Sequence, residues 1–186
     1  MPTNARQRLL DAAERLFYNE GIHAVGLERL LTESGVGRAS FYRHFASKDD
    51  LVVSMLRNYD EAYRTWLAER TTALGGTPLA AFDALIEYAE TSDFRGCAFI
   101  NAIAEVAEPD SQIRAMTSQH KEAVAEYLRT LLVDAGYPDD TDLARQLLLL
   151  MDGAAVTELY ERSDRAAQQA KAMARAILAQ DTPSGA

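Results

Sequence analysis

The sequence predicts an all-α protein of about nine helices. Apolar residues recur at spacings of three and four along most of the chain, as they do on the buried face of a helix. Glycine and proline interrupt this pattern, and no segment alternates apolar and polar residues as a strand does. A hydrophobic share of 48% and a charged share of 25% in 186 residues exclude a disordered or collagen-like chain.

The helices can be placed in order from these interruptions. The first carries Leu9, Ala13, Leu16 and Phe17 on one face and ends at Gly21. Three short segments follow, and Ser47 is expected to cap a long helix at about 48–73. Breaks are predicted at Gly75–Pro78, Ser92-Asp93, Pro109 and Gly136–Pro138. Between and after these breaks, further helices are predicted at about 78–91, 96–107 and 111–135, from Asp139 or Asp140 to about 162, and at about 164–180.

Residues 27–51 contain two short helices joined by Gly35-Val36-Gly37, the spacing of a helix-turn-helix. The second helix, at about 38–44, directs Phe41 and Phe45 toward the core. An arginine can donate two hydrogen bonds to one guanine in the major groove, and hydroxyl, imidazole and ammonium groups can donate to phosphate oxygens. The other side chains of this helix are therefore of the types that contact DNA. The candidate DNA-binding residues are Arg38, Ser40, Tyr42, Arg43, His44 and Lys48.

The run from Gly35 to Leu51 resembles the signature of the TetR family of bacterial transcriptional repressors. The resemblance implies a helix-turn-helix domain at 1–47 and a regulatory, ligand-binding and dimerisation domain at 48–186. It places Arg38 and Ser40 near base edges and Tyr42, His44 and Lys48 on phosphate. The sequence departs from the family at four positions: Val25 and Gly26 replace a usual Thr or Ser, Gly37 a common Ser, and Ala39 a common Gly.

The net charge of −9 suggests at first that the chain avoids nucleic acid. The charges are unevenly distributed, however. Residues 1–55 hold seven basic and seven acidic side chains, so the whole acidic excess lies in residues 56–186. We therefore expect a neutral DNA-reading part attached to an acidic part that stays away from DNA.

The second part resembles the C-terminal domain of one TetR subgroup, on the segment 95–102 with Glu105, His120-Lys121 and the segment 150–154. Its last two helices carry apolar stripes that predict a homodimer with a four-helix interface, matching a palindromic operator. The alternative is that these helices bury each other within one chain. The candidate interface residues are Leu143, Leu147, Leu150, Ala154, Ala170, Ala174 and Ile177.

A ligand cavity is predicted around the helix at about 96–107, where Cys97, Asn101 and Glu105 are spaced to share one face. With Tyr63 and Trp66 nearby they would bind an unidentified small-molecule inducer, and a buried Glu105 would favour a cationic or hydrogen-bonding one. The alternative for the three polar residues is that they contact solvent or cap neighbouring helices. The alternative for the aromatic side chains is that they belong to the hydrophobic core. Cys97 is either a redox switch or a small buried hydrophobe.

The sequence gives little support to an enzyme or a metal-binding protein. The three histidines, at positions 23, 44 and 120, lie on different segments, and no nucleophile motif or phosphate-binding loop is present. We therefore expect no enzyme activity, no cofactor and no metal. The single cysteine and the absence of a signal-peptide or membrane-spanning segment predict a cytoplasmic protein without a membrane partner. The sequence thus favours a ligand-released repressor; the alternative is a helical small-molecule-binding or metal-storage protein that does not bind DNA.

Overall fold

The computed structural model describes residues 4–91, 94–106, 111–161 and 163–180, and these residues form nine α-helices and no strand. The helices are α1 (Ala5–Glu20), α2 (Leu27–Ser34), α3 (Arg38–His44), α4 (Lys48–Ala73), α5 (Pro78–Ala89), α6 (Ala98–Ala104), α7 (Gln112–Asp134), α8 (Thr141–Glu161) and α9 (Arg165–Leu178). The all-α prediction is confirmed, and the seven helices for which both bounds were predicted, α3 to α9, begin and end within about three residues of those bounds. The predicted breaks at Ser92-Asp93 and Pro109 lie outside the described residues.

Helix α6 differs most from its prediction, because it is shorter at both ends than the predicted 96–107. Gly96 adopts φ of +74°, a left-handed conformation that a right-handed helix cannot include. A Cβ at this position would lie 3.3 Å from the carbonyl oxygen of Ala155. Gly96 therefore fixes a close approach to α8, and α6 starts only at Ala98.

The chain divides into two compact units. The first comprises residues 1–61 and 98–117, and the second comprises residues 62–97 and 118–186. Helices α4 and α7 are each divided: the N-terminal part belongs to the first unit and the C-terminal part to the second. Among the described residues, none of the helices has the length and apolar character of a membrane span.

In the first unit, α1 packs against α2 and α3 around fully buried apolar side chains. Burying each of these side chains contributes about 1.5–3 kcal/mol before conformational entropy is subtracted. The largest of them are Leu9, Leu16, Leu30, Phe41, Phe45, Leu51, Leu56 and Phe99. The apolar positions that the sequence spacing selects on α1 are thus the ones that hold the helix-turn-helix.

In the second unit, α8 and α9 pack on each other and on α5. The residues predicted to lie between two copies are part of the internal core of this unit: Leu143, Leu147, Ala154, Ala170 and Ala174 are buried, and Leu150 and Ile177 pack against them. Helix α8 is apolar on several sides, and the sequence could not say which side its own chain covers. This packing agrees with the alternative that the two helices bury each other within one chain, and a role of the same residues between two copies stays a prediction.

Candidate nucleic-acid interface

The turn between α2 and α3 is fixed by Gly35, whose φ of +61° closes the end of α2. The Gly35 amide donates to the carbonyl of Thr32 at 3.2 Å, and the Val36 amide donates to the carbonyl of Leu31 at 3.2 Å. These bonds satisfy two of the last four carbonyls of the helix. From α1, the Arg8 guanidinium donates to the Gly35 carbonyl at 3.3 Å. The turn is therefore held from within and by its neighbouring helix.

Helix α3 has a buried aromatic side and an exposed polar side. Phe41 and Phe45 are 0% and 2% exposed, and their ring centroids lie 5.9 Å apart. Tyr42 packs edge-on against Phe41 at 5.1 Å, yet it remains 52% exposed. Because two phenylalanines anchor the helix, its opposite side is presented as a rigid surface.

The predicted DNA-binding residues of α3 lie on or beside that exposed side. Arg38, Tyr42, Arg43 and His44 are exposed, and Ser40 is half-buried. Within the described part of the chain, Arg43 makes none of the ion pairs found. Helix position also puts Arg43 about half a turn from the two buried phenylalanines. It is therefore the cation of α3 that points most directly outward.

Other arginines of the helix-turn-helix already hold a carboxylate. Each pair joins two different helices, and all the partners are at least one third exposed. The pairs are Arg15 with Glu33, Arg29 with Glu20, and Arg38 with Glu28. At such exposure a pair contributes about 0–1 kcal/mol to stability. The three pairs therefore add little to the stability of the helix-turn-helix.

Lys48 is placed differently from the other predicted contacts. Its ammonium group donates to the carbonyl of Ile22 and lies 5.5 Å from the centroid of the Phe17 ring. It is half-buried and tied to the segment that joins α1 to α2. Lys48 therefore secures the start of α4 to that segment, and a phosphate contact would require it to leave Ile22.

Ser47 caps α4 as the sequence predicted. Its hydroxyl accepts from the Asp50 amide at 3.1 Å, and the Asp50 carboxylate accepts from the Ala46 amide at 2.9 Å. Helix α2, in contrast, begins at Gly26 without a side-chain cap. The first amides of α2 therefore have no side-chain acceptor from the cap residue, which leaves them open to a phosphate oxygen.

Two features of this surface escaped the sequence analysis. Arg6, from the start of α1, lies 5.4 Å from the centroid of the Phe45 ring. Glu28 holds Arg38 across the two helices. Both contacts bring together residues that are distant in sequence. The Arg38–Glu28 pair could have been suggested only by searching for opposite charges on the two facing helices of the helix-turn-helix.

The predicted ligand residues are divided between the two units. Tyr63 and Trp66 lie in the second unit, where they form an aromatic cluster with Tyr88 and His120. The Trp66 and Tyr88 centroids are 4.9 Å apart, and the Tyr63 and His120 centroids are 5.6 Å apart. Tyr63 and Trp66 are partly buried and pack against the core of that unit.

Cys97 also belongs to the second unit and is half-buried. Its sulfur lies 3.5 Å from the ammonium nitrogen of Lys121, which pairs with Asp152 on α8. Neither partner was selected from the sequence for this role. The predicted arrangement of Cys97, Asn101 and Glu105 on one helix face is not observed, because Cys97 precedes α6 and Glu105 follows it.

Asn101 and Glu105 lie in the first unit. The Glu105 carboxylate accepts from the Ile22 amide at 2.8 Å and from the His23 amide at 2.7 Å. The His23 ring is 2.8 Å from the Glu105 carbonyl oxygen. Glu105 therefore binds the end of α6 to the segment that leads into α2. Among the described residues, no group of three or more potential metal ligands is found.

Comparisons with known proteins agree with this geometry. The family model described as "Bacterial regulatory proteins, tetR family" matches residues 9–55, which span the helix-turn-helix. The crystal structure of SCO4454, a TetR-family transcriptional regulator from Streptomyces coelicolor, is 30% identical with a TM-score of 0.88. The match covers 97% of this chain and 91% of that one.

Two partial relatives carry names with opposite regulatory directions. The transcriptional activator FasR of Mycolicibacterium smegmatis is 30% identical over 124 residues, which cover 64% of this chain and 56% of FasR. The transcriptional repressor NemR of Escherichia coli is 29% identical over 116 residues, which cover 60% of this chain and 58% of NemR. These matches thus span little more than half the length of either relative. Because the match to SCO4454 extends over nearly the whole of both chains, the protein belongs to the TetR family of transcriptional regulators, which are DNA-binding proteins and not enzymes.

Proposed function

We propose that the chain acts as a homodimeric repressor that binds a palindromic operator and leaves it when a small molecule binds. The observation that carries the DNA-binding part is the two-sided α3, in which Phe41 and Phe45 are buried while Tyr42 and Arg43 are exposed. A helix anchored in this way can enter the major groove without rearranging. Residues 1–47 would form the DNA-reading domain and residues 48–186 the regulatory domain.

Exposed apolar side chains on α8 and α9 support the homodimer. Leu149 is 72% exposed, Tyr160 is 71% exposed and Met173 is 56% exposed. Large exposed apolar side chains on two helices that pack against each other favour a partner surface of the same kind, and a second copy would supply it by two-fold symmetry. A two-fold dimer would place its two α3 helices on half-sites about 34–36 Å apart, or a multiple of that distance.

Release by a ligand requires a conformation that binds the ligand better and DNA worse. The hydrogen bonds from Ile22 and His23 to Glu105 support such a link, because they connect α6 to the segment before α2. A change at the end of α6 would then alter the position of the helix-turn-helix. The protein would work in the cytoplasm, where its operator is accessible.

The first experiment is to sequence the genomic DNA fragments that the purified protein selects. The enriched sequence should be an inverted repeat, and its affinity should fall as the salt concentration rises. A control selection uses Arg43→Ala, in which enrichment should be lost. If the wild-type protein enriches no sequence and its DNA affinity does not depend on salt, the proposed function is wrong.

Repression and activation are separated by a reporter gene placed behind the selected operator. Repression predicts that expression of the protein lowers the reporter signal, and that the Arg43→Ala variant restores it. A protein-dependent increase would assign activation instead. The alternative function, a helical small-molecule-binding or metal-storage protein, predicts no enrichment of DNA and no reporter response of either sign.

A further inference from the structure

Arg38 and Glu28 form a contact between the two helices of the helix-turn-helix. The Nη2 group of Arg38 pairs with Oε1 of Glu28, and the two side chains are 56% and 74% exposed respectively. Arg38 is the first residue of α3, and Glu28 is the second residue of α2. In a helix-turn-helix, the first residues of the second helix contact base edges. The pair therefore joins a candidate base-reading arginine to a carboxylate of the neighbouring helix.

The backbone places the two partners independently of their ion pair. The amides of Gly35 and Val36 close the end of α2, and Arg8 donates to the Gly35 carbonyl at 3.3 Å. Leu30 on α2 and Phe41 on α3 are both 0% exposed. Each helix is thus anchored by a buried side chain beside a turn that hydrogen bonds hold. The contact between Arg38 and Glu28 is consequently not required to hold the helices together.

The pairing is selective among the charged side chains of the two helices. Glu33, the other carboxylate of α2, pairs with Arg15 on α1. Arg43, the other arginine of α3, makes none of the ion pairs found within the described residues. Helix α3 therefore carries one arginine that a carboxylate holds and one that none of these pairs restrains.

An arginine recognises guanine by donating two parallel hydrogen bonds to its O6 and N7 atoms. This geometry requires the plane of the guanidinium to be aligned with the base. A carboxylate that accepts from one N–H of the planar group restricts its orientation and leaves other N–H groups free to donate. Exclusion of water from the DNA groove strengthens such a contact. Glu28 can thus orient Arg38 without occupying all of its donors.

We propose that Glu28 is a positioning residue that aligns the guanidinium of Arg38 with one guanine in each half-site of the operator. This inference rests on the proposed DNA binding and explains its base preference at one position. At adenine or cytosine, an amino donor replaces the O6 acceptor. An arginine held by Glu28 does not turn away to a phosphate, so its donors stay unsatisfied there. Glu28 therefore costs most affinity where the guanine is absent.

The first step of the test compares the sequences that the wild-type protein and Arg38→Ala select from a random DNA library. Arg38→Ala should lose the preference for guanine at one position of each half-site and keep the preferences elsewhere. Identical preferences in both proteins would overturn the proposal, while DNA binding itself would stand. If the wild-type protein selects no sequence, the proposed function fails, and this inference fails with it.

The second step measures dissociation constants by fluorescence anisotropy at one salt concentration. The probes are the selected operator and an operator in which that guanine is replaced by adenine in both half-sites. Glu28→Gln should lower the ratio of the two constants by about fivefold or more, because binding to the adenine operator gains more. Glu33→Gln is the matched control; it removes the same charge from α2 and should leave the ratio within about twofold.

A double-mutant cycle shows whether Glu28 acts through Arg38. In the Arg38→Ala background, Glu28→Gln should change both dissociation constants by the same factor, so that their ratio does not move. Equal changes already in the wild-type background would mean that Glu28 contributes only its charge. A change of the ratio in the absence of Arg38 would mean that Glu28 contacts the base itself. Either of these two results overturns the proposal.

Discussion

Arg38, the first residue of α3, pairs with Glu28 in the first turn of α2. Both side chains are more than half exposed, and Arg38 is one of the predicted DNA-binding residues. If Arg38 contacts DNA as proposed, Glu28 would have two effects on a bound phosphate. It would compete for the guanidinium of Arg38, and it would place a negative charge near the DNA backbone.

Replacing Glu28 with Gln should strengthen operator binding by roughly three- to tenfold at about 100 mM salt, because the arginine is freed and one repulsive charge is removed. Fluorescence anisotropy with a labelled operator measures the effect. Glu33→Gln is the matched control, since it removes the same charge from α2 but frees Arg15 instead of Arg38. If both variants bind DNA with wild-type affinity, the pair does not restrain Arg38.

Arg43→Ala should weaken operator binding by about 10- to 100-fold, the loss expected for one specific arginine contact. The side chain is exposed, so the free energy of unfolding should change by less than about 0.5 kcal/mol. Operator titration and urea denaturation measure the two quantities. Arg175→Ala, at an exposed position on α9, is the control and should alter neither. Similar losses in both variants would contradict a direct role for Arg43.

Gly26 and Gly35 bound α2, and serine should have opposite effects at the two positions. Gly26 has φ of −73° and open space where a Cβ would lie, so Gly26→Ser should add a helix cap and stabilise the protein by about 0.5–1 kcal/mol. Gly35 has φ of +61°, so Gly35→Ser should destabilise it by about 1–2 kcal/mol. Urea denaturation checks both values, and changes of the same sign would contradict these assignments.

Glu158 is 4% exposed, and its Oε1 accepts from the Ala167 amide at 2.9 Å. Burial, opposed by that hydrogen bond and reinforced by Asp164 and Glu161, raises its pKa above 4.5. The folded protein then binds more protons than the unfolded chain, so this group lowers folding stability as pH rises from about 4.5 toward the raised value. Glu158→Gln should therefore flatten the pH dependence of the free energy of unfolding above about pH 4.5.

The control for that experiment is Glu161→Gln, which removes an exposed carboxylate one turn away on the same helix. Its stability should follow the wild-type pH curve closely. Urea denaturation at several pH values gives the free energies. Parallel curves for wild type and Glu158→Gln would show that this carboxyl is not the source of the pH dependence.

A pair of charged substitutions on the exposed apolar surface of α8 and α9 should separate the proposed dimer. Leu149→Glu combined with Met173→Glu should raise the dimer dissociation constant by about 100-fold or more, because two carboxylates would be buried without partners. Analytical ultracentrifugation measures it. Val133→Glu on α7, an exposed apolar residue outside these two helices, should leave the dimer intact. A monomeric wild-type protein would contradict the proposed assembly.

Local sequence rules were sufficient for most helix bounds because the signals are themselves local. Ser47 predicts the start of α4, and the period of Phe41 and Phe45 predicts the buried side of α3; the structure confirms both. Helix α6 was predicted too long because the left-handed conformation of Gly96 depends on its close approach to Ala155, which lies far away in the sequence.

Contacts between distant residues account for the rest. Periodicity selects the apolar faces of α8 and α9 correctly, but it cannot tell whether Leu147 meets its own chain or another copy; here it meets its own. Similarly, nothing near Glu105 in the sequence indicates that its carboxylate accepts the Ile22 and His23 amides. The sequence indicates which kind of contact a side chain can make, whereas the partner that it contacts depends on the packing of the whole unit.

The Arg38–Glu28 pair would affect how long the protein stays at a wrong sequence. On unrelated DNA, Arg38 would leave Glu28 to gain a phosphate, an exchange between similar anions that releases little free energy. Residence on such DNA should therefore be brief, and the protein could scan a genome rapidly. Only where base contacts add to the exchange would the complex persist, so Glu28 lowers the affinity for all DNA and leaves the base contacts to set the dwell time.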